Sequence, residues 1–479
     1  MNSIDSFFKQ SRRQFVGRCG MSLASMAFWS LMKAEALASS TASEPTGLDP
    51  MQPKRPHFAP KAKNVIFLFM VGGPSHLDMF DYKPALEKRQ GEPIPESFIK
   101  GVKFAQITEK QPKLMGSKWK FSQHGQCGAY MSELVPHMSA IVDDIAFIRT
   151  LKIDDTNHFF AELQMHTGWR QVGRPSMGSW VTYGLGSESR DMPGFVVLQS
   201  GGTPRAKSGV YSAGFLPPAF QGVPLRSNGD PILNLTSPAG FTQGRQHRTI
   251  ETINKINNIH LQETGDPEIA ARVAAYELAF RMQATAPELL DLKDESKEML
   301  AMYAVDPKVP SFARNCLLAR RLIERGVRFV QLFHGDWDHH LAIEKSLPGQ
   351  CKSVDQASAA LIKDLKQRGL LNDTLVIWGG EFGRTPMAQI DKSAAAGRDH
   401  HIEAFTMWMA GGGVKPGISV GATDDLGFFA TEDPWHIHDL HATVLHLLGL
   451  NHEQLTYRFQ GRDFRLTDVF GKVINKLFA

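Results

Sequence analysis

Residues 334–340 read HGDWDHH, with three histidines and two aspartates around one tryptophan. Imidazole nitrogens and carboxylate oxygens at this density offer ligands to zinc, manganese, iron or another divalent ion. Such an ion polarises a phosphoryl or sulfuryl oxygen, or lowers the pKa of a bound water. Adjacent residues on an extended chain point opposite ways, so these five polar side chains cannot all reach one ion. Some must instead hold an imidazole through its other nitrogen. The competing account is a hydrogen-bonded structural loop.

Four other stretches carry comparable chemistry. GGPSHLDMFD (72–81) offers His76 and Asp78, GGEFGRTP (379–386) offers Glu381 and Arg384, and GRDHH (397–401) offers Asp399, His400 and His401. Arg384 has the planar fork that fits a pair of anionic oxygens, or else it pairs with Glu381 or a neighbour. DDTNHFFAELQMHTG (154–168) places Thr156 beside Asn157 and His158. A threonine hydroxyl attacks well once a metal lowers its pKa, and the alternative is that Thr156 or Asp155 caps a helix over 157–166. Ser75 and Ser176 are further hydroxyls with a turn and a helix cap as their simpler roles. His438, His441 and His446 fall in one helical stretch, where packing is the ordinary role.

Positioning these residues requires strands that end beside them. NVIFLFMV (64–71) is a continuous apolar run and predicts a strand buried on both faces. GFVVL (194–198), VRFVQLF (327–333), DTLVIWGG (373–380) and FTMWMAGGG (405–413) read similarly, and 132–150 reads as a helix followed by a short strand. Residues 311–325 predict a helix with Phe312, Cys316, Ala319 and Ile323 on one face and Gly326 as its cap. Residues 355–369 predict another, with Asp355 as N-cap and Gly369 as C-cap; 437–450 predict a third. Two helices are expected between Glu268 and Tyr303, broken near Ala286–Pro287, and 201–260 reads largely as an irregular insertion. Helices alternating with apolar strands give an α/β fold with a mostly parallel sheet, and ligands in such sheets bind beyond the carboxyl ends of the strands.

The start of the chain differs from the rest. Residues 1–38 hold Lys9, Arg12, Arg13, Arg18 and Lys33 against Asp5 and Glu35, a surplus of five minus two, or +3. Of the formal net charge of +4 this leaves +1, so no broad basic field argues for nucleic acid. The paired Arg12–Arg13, a short apolar run and the small residues at Ala36–Ala38 predict an export signal, too short for a permanent membrane span. The arginine pair resembles the twin-arginine export motif. Residues 39–63, rich in Ser, Thr and Pro, read as a linker, and 64–479 as a single domain. Cys19 lies in the signal; Cys127, Cys316 and Cys351 have no paired spacing, which excludes a cysteine zinc site.

Seven segments carry a resemblance: GGPSHLDMFDYKP, NHFFAELQMHTG, GRPSMGSWVTYGLG, HGDWDHH, GGEFGRTP, GRDHH and YRFQGRDFRLTDV. Together they resemble the twin-arginine-exported family called domain of unknown function 1501, grouped with the alkaline phosphatase and sulfatase superfamily. The resemblance implies a three-layer α/β/α core and a metal site at the strand ends. It implies that Asp336 and His340 are a D-x-x-x-H ligand pair and that His400 or His401 is the late histidine ligand. Glu381–Phe382 stands where the superfamily shows Asp–His. Gly72 stands where the first strand ends in aspartate, a loss for which His76 or Asp78 would substitute. Asp338 and His339 then orient the ligands or meet substrate, and Trp337 excludes water.

The expectation is therefore an exported, extracytoplasmic hydrolase of phosphate or sulfate esters. It would use zinc, manganese or calcium, with Thr156, Arg384 and Asp338 as catalytic residues. Its substrate would be a small anionic ester or a sulfated or phosphorylated polymer, and its carrier the twin-arginine machinery. The alternative is a secreted binding or scaffold protein that keeps the fold without catalysis. No C-x-P-x-R or S-x-P-x-R occurs, which argues against an ordinary formylglycine sulfatase, and no Gly-rich dinucleotide loop supports an oxidoreductase.

Overall fold

Nine strands form the central sheet: β1 (Asn64–Met70), β2 (Ile145–Lys152), β3 (Phe195–Ser200), β4 (Val223–Leu225), β5 (Phe329–His334), β6 (Thr374–Gly379), β7 (Phe405–Ala410), β8 (Ile418–Val420) and β9 (Trp435–His436). The computed structural model describes residues 50–226, 243–264, 267–391 and 394–478. The export signal expected over 1–38, the linker up to 49, and 227–242 of the expected insertion lie outside the described residues.

The strand order is β8-β2-β7-β6-β1-β5-β3-β4, with β9 also beside β2. Every pairing is parallel except those of β7, which runs against both β2 and β6. All seven residues of β1 are buried, because helices cover both faces. Ile66, Leu68 and Met70 pack with α3 (Phe312–Glu324) and α4 (Ile343–Gln367). Val65, Phe67 and Phe69 pack with α1 (His158–Thr167), α2 (Met177–Leu185) and α5 (Ile437–Leu447) on the other face. The alternation of strand side chains thus builds two apolar layers and the α/β/α sandwich.

Ser311 caps α3 by accepting from Arg314 N at 3.1 Å, and Gly326 follows with φ 78°. The start of α4 departs from expectation. It begins at Ile343 and carries Asp355 in its interior, buried, where its carboxylate accepts from His137 N at 2.8 Å and Met138 N at 2.7 Å. Asp355 therefore caps the neighbouring short helix Pro136–Ser139 and not its own. Residues 243–264, expected to be mainly irregular, form a helix. Ile250, Ile253, Ile256 and Ile259 recur there every third residue, a helical spacing masked by the polar composition. The next helix, Pro267–Leu290, runs through Pro287, which falls in its last turn and forfeits one backbone hydrogen bond without ending it.

The parallel strands deliver their carboxyl ends to one edge: residues 71–75 after β1, 153–158 after β2, 201–206 after β3, 335–340 after β5 and 380–382 after β6. Because β7 is reversed, the segment that enters it reaches the same edge. That segment closes an antiparallel hairpin of Gly383–Asp391 and Ala394–His401, which carries the GRDHH stretch.

Candidate metal centre

His158, Asp338, His340 and His400 place their ligand atoms within 4.8 Å of one another. Asp338 is the hub. Its Oδ1 lies 2.9 Å from His340 Nε2 and 3.2 Å from His400 Nε2, and its Oδ2 lies 3.1 Å from His158 Nε2. All three imidazoles are held from behind by an acceptor on Nδ1. His158 Nδ1 donates to Glu381 Oε1 at 2.6 Å, His340 Nδ1 to Gln389 Oε1 at 2.6 Å, and His400 Nδ1 to the Thr156 carbonyl at 2.6 Å. With the proton on Nδ1, each ring in its neutral form turns its Nε2 lone pair to the common point, and His158 reaches that form only by giving up the second proton that its two carboxylate neighbours favour. His158 Nε2 makes no hydrogen bond despite its burial.

The electrostatics agree with a site shaped for positive charge. Burial alone would raise Asp338, but the three imidazoles and Arg384 hold it far below the usual carboxylate range. Burial opposes a charge on His158, yet the Asp338 and Glu381 carboxylates outweigh it and raise it to about 9. His400 is pushed down to about 4 by burial, against the pull of Asp338. Glu162, fully buried one helical turn from His158, is pushed up to about 8 by burial and by the nearby Glu381. The site opens into a cleft of about 360 Å³ walled by Phe104, Gln106, Thr156, Asn157, Phe159 and Arg205.

The family described as "Protein of unknown function (DUF1501)" matches residues 62–478. The chain belongs to this family. No curated protein sequence matches it. Among solved structures it is similar to the lipoteichoic acid synthase LtaP from Listeria monocytogenes, at 10% identity over 88% of this chain and 78% of that one, TM-score 0.37. It is also similar to the alkaline phosphatase from the Antarctic bacterium TAB5, at 10% identity over 82% and 99%, TM-score 0.34. The PsFucS1 sulfatase from Pseudoalteromonas sp. stands at 12% identity over 82% and 68%, TM-score 0.33. Likenesses this distant carry no argument about the chemistry of this DUF1501 chain, which rests on its own side chains.

Of the residues expected to bind metal, the structure brings together His340 and His400, and adds Asp338 in place of Asp336. Asp336 sits in a left-handed turn with φ 74° and turns its carboxylate to Gly202 N, 3.1 Å away. That turn moves the next outward-facing aspartate to position 338. His401 points away from the group and donates from Nε2 to the Phe428 carbonyl at 2.6 Å. Asp78 is sealed in a pair with Arg398, at 2.8 and 3.1 Å, and takes the Ser75 hydroxyl at 2.6 Å. His76 is buried against His401, outside the group.

Glu381 stands behind His158 and also accepts from Gly72 N at 2.9 Å. The absent aspartate at position 72 has a steric reason: with φ 115°, a Cβ there would lie 2.6 Å from Asp338 N. Arg384 is fully buried and engaged through all three nitrogens, giving hydrogen bonds to the carbonyls of Gly72, Gly73, Trp337 and Arg398, and 2.8 Å to Asp338 Oδ1. It orients the hub and has no fork left for a substrate. Trp337 is buried in the core against Trp378, away from the cleft. Thr156 lines the cleft, while Asn157 caps α1 by accepting from Phe159 N at 3.0 Å.

His158 and Glu162 were not singled out as ligands by sequence reasoning. They stand four apart, one turn of helix, so both face the same way. With Glu381 they form a second group of possible ligands, sharing His158 with the first.

Proposed function

We propose that this chain is a metal-dependent hydrolase of phosphate or sulfate esters that works outside the cytoplasm. One observation carries the reading: three imidazoles, each locked by an acceptor on Nδ1, aim Nε2 at a single carboxylate on the floor of an open cleft. The donor set fits a divalent ion. Three nitrogens and one carboxylate suit zinc, manganese or iron, and suit calcium poorly because calcium takes oxygen ligands. Such an ion supplies Lewis acidity toward the anionic oxygens of an ester.

The chain's own groups do the rest. Arg384 fixes Asp338, and Glu381, Gln389 and the Thr156 carbonyl fix the imidazoles. Asp399, fully buried, accepts from Gln106 N and Ile107 N, both at 2.8 Å, and so holds one wall of the cleft. Thr156 is the hydroxyl presented to a bound ester and takes the role of nucleophile. The extracytoplasmic location rests on the order of Arg12–Arg13, apolar run and small residues in the sequence.

A single experiment tests the whole reading. Cells expressing the full chain are fractionated, and protein from the exported fraction is assayed for metal and for turnover of an aryl phosphate, a phosphodiester and an aryl sulfate. The expected result is near-stoichiometric metal with turnover of at least one ester, lost in Thr156→Ala with metal retained. Protein confined to the cytoplasm sinks the location. Protein with full metal and no turnover of any ester favours a non-catalytic binding protein. Protein with no metal after exposure to zinc and manganese returns the cluster to a structural role.

A further inference from the structure

The loop after β3 is pinned at two points by carboxylates. Gly202 N donates to Asp336 Oδ2 at 3.1 Å, and Ala206 N donates to Glu162 Oε2 at 2.8 Å. Glu162 is fully buried, so this second anchor sits in the protein interior. The residue just before it, Arg205, projects into the cleft with a side chain 65% exposed. Its guanidinium comes no nearer than 3.7 Å to Asp338 Oδ2, too far for a hydrogen bond. Among the described residues it is the one Lys or Arg that lines the cleft. Its backbone is fixed while its tip is held only by a long ion pair to Asp338, so little must be given up or ordered for that tip to close on an incoming group. Arg384, the other arginine at the site, is buried and spent on carbonyls and Asp338.

We propose that Arg205 is the residue that grips the non-reacting oxygens of an anionic phosphate or sulfate ester, and so selects charged esters over neutral ones. The planar guanidinium matches two such oxygens at once, which a lysine does not. Asp336 and Glu162 act as positioning residues that set where the guanidinium starts. The inference takes its substrate class from the ester-hydrolase reading, but it is a statement about binding and can be read without turnover.

The test uses the full chain loaded with zinc or manganese, and titrates it calorimetrically with methyl sulfate and, separately, with methyl phosphate. Wild-type protein should bind at least one of these anions, and which one identifies the ester. Arg205→Ala should weaken that binding roughly 10- to 100-fold, the scale of lost charge-assisted hydrogen bonds. Its metal content should stay unchanged, and Arg205→Lys should recover part of the loss. Binding by Arg205→Ala within twofold of wild type overturns the proposal, and so does wild-type protein that binds neither anion. Wild-type protein that binds an anion through Arg205 but hydrolyses no ester leaves this inference standing while the hydrolase reading falls.

Discussion

The Asp338 cluster and the Asp78 cluster are made of the same residue types and sit at the same edge of the sheet. In the second, Arg398 spans both oxygens of Asp78 and also donates to the carbonyls of Met115 and Thr385, at 2.9 and 3.1 Å. Arg398 and Asp78 are fully buried, and His401 is tied to a carbonyl. In the first, one carboxylate faces three imidazole Nε2 atoms, of which His340 also meets the Gln106 side-chain amide at 3.1 Å on the cleft wall, and the group lines a cleft. Residue type does not separate the two. Completion of partners and access to water do. A closed set of buried charges holds a fold together, while an open set with convergent lone pairs invites an ion.

The largest effect that would sharpen this contrast is His340→Ala. It removes one donor from the open cluster and should abolish stoichiometric metal, measured on dialysed protein, with little change in the urea midpoint of the metal-free chain. Next comes Asp78→Ala, which strands a buried guanidinium. It should cost about 3–5 kcal/mol of stability by urea unfolding while the protein that remains folded keeps its metal. If Asp78→Ala lost metal as completely as His340→Ala, the two clusters would be one functional unit and the contrast would break. The smallest effect is expected from Glu381→Gln, which keeps the acceptor behind His158 and removes its charge. Metal affinity should fall about 10- to 100-fold, the usual consequence of altering a group that orients a ligand. Unchanged affinity would reduce Glu381 to a clamp for Gly72.

Much of this was legible in the sequence. The runs at 64–71, 327–333 and 373–380 needed only their apolar continuity to be recognised as strands, and the polar residues at their ends pointed to the functional edge. The choice between Asp336 and Asp338 was not legible. It turns on the left-handed φ of Asp336, and on the close approach of Gly335 to Gly202, where a Cβ would lie 2.3 Å from a carbonyl oxygen. No local pattern reports a contact between residues so far apart in the chain. The reversal of β7 was hidden for a similar reason. FTMWMA is as apolar as its parallel neighbours, and only its pairing with β2 and β6 gives its direction. The i, i+4 spacing of His158 and Glu162 is the sequence signal for their shared helical face, but the same spacing is ordinary on any helix and does not by itself separate ligands from packing residues.

The reversed strand β7 has a consequence for how the site comes into being. It is β7 that brings position 400 to the same edge as positions 158, 338 and 340, so the four donors meet only after distant parts of the chain have paired. Closing loops of that length is entropically costly and slow, and the unfolded chain offers an ion no more than isolated, weakly binding side chains. In a small zinc module the ion organises the polypeptide around itself. Here the order would be inverted: the sheet must close first, and an ion would enter a finished protein.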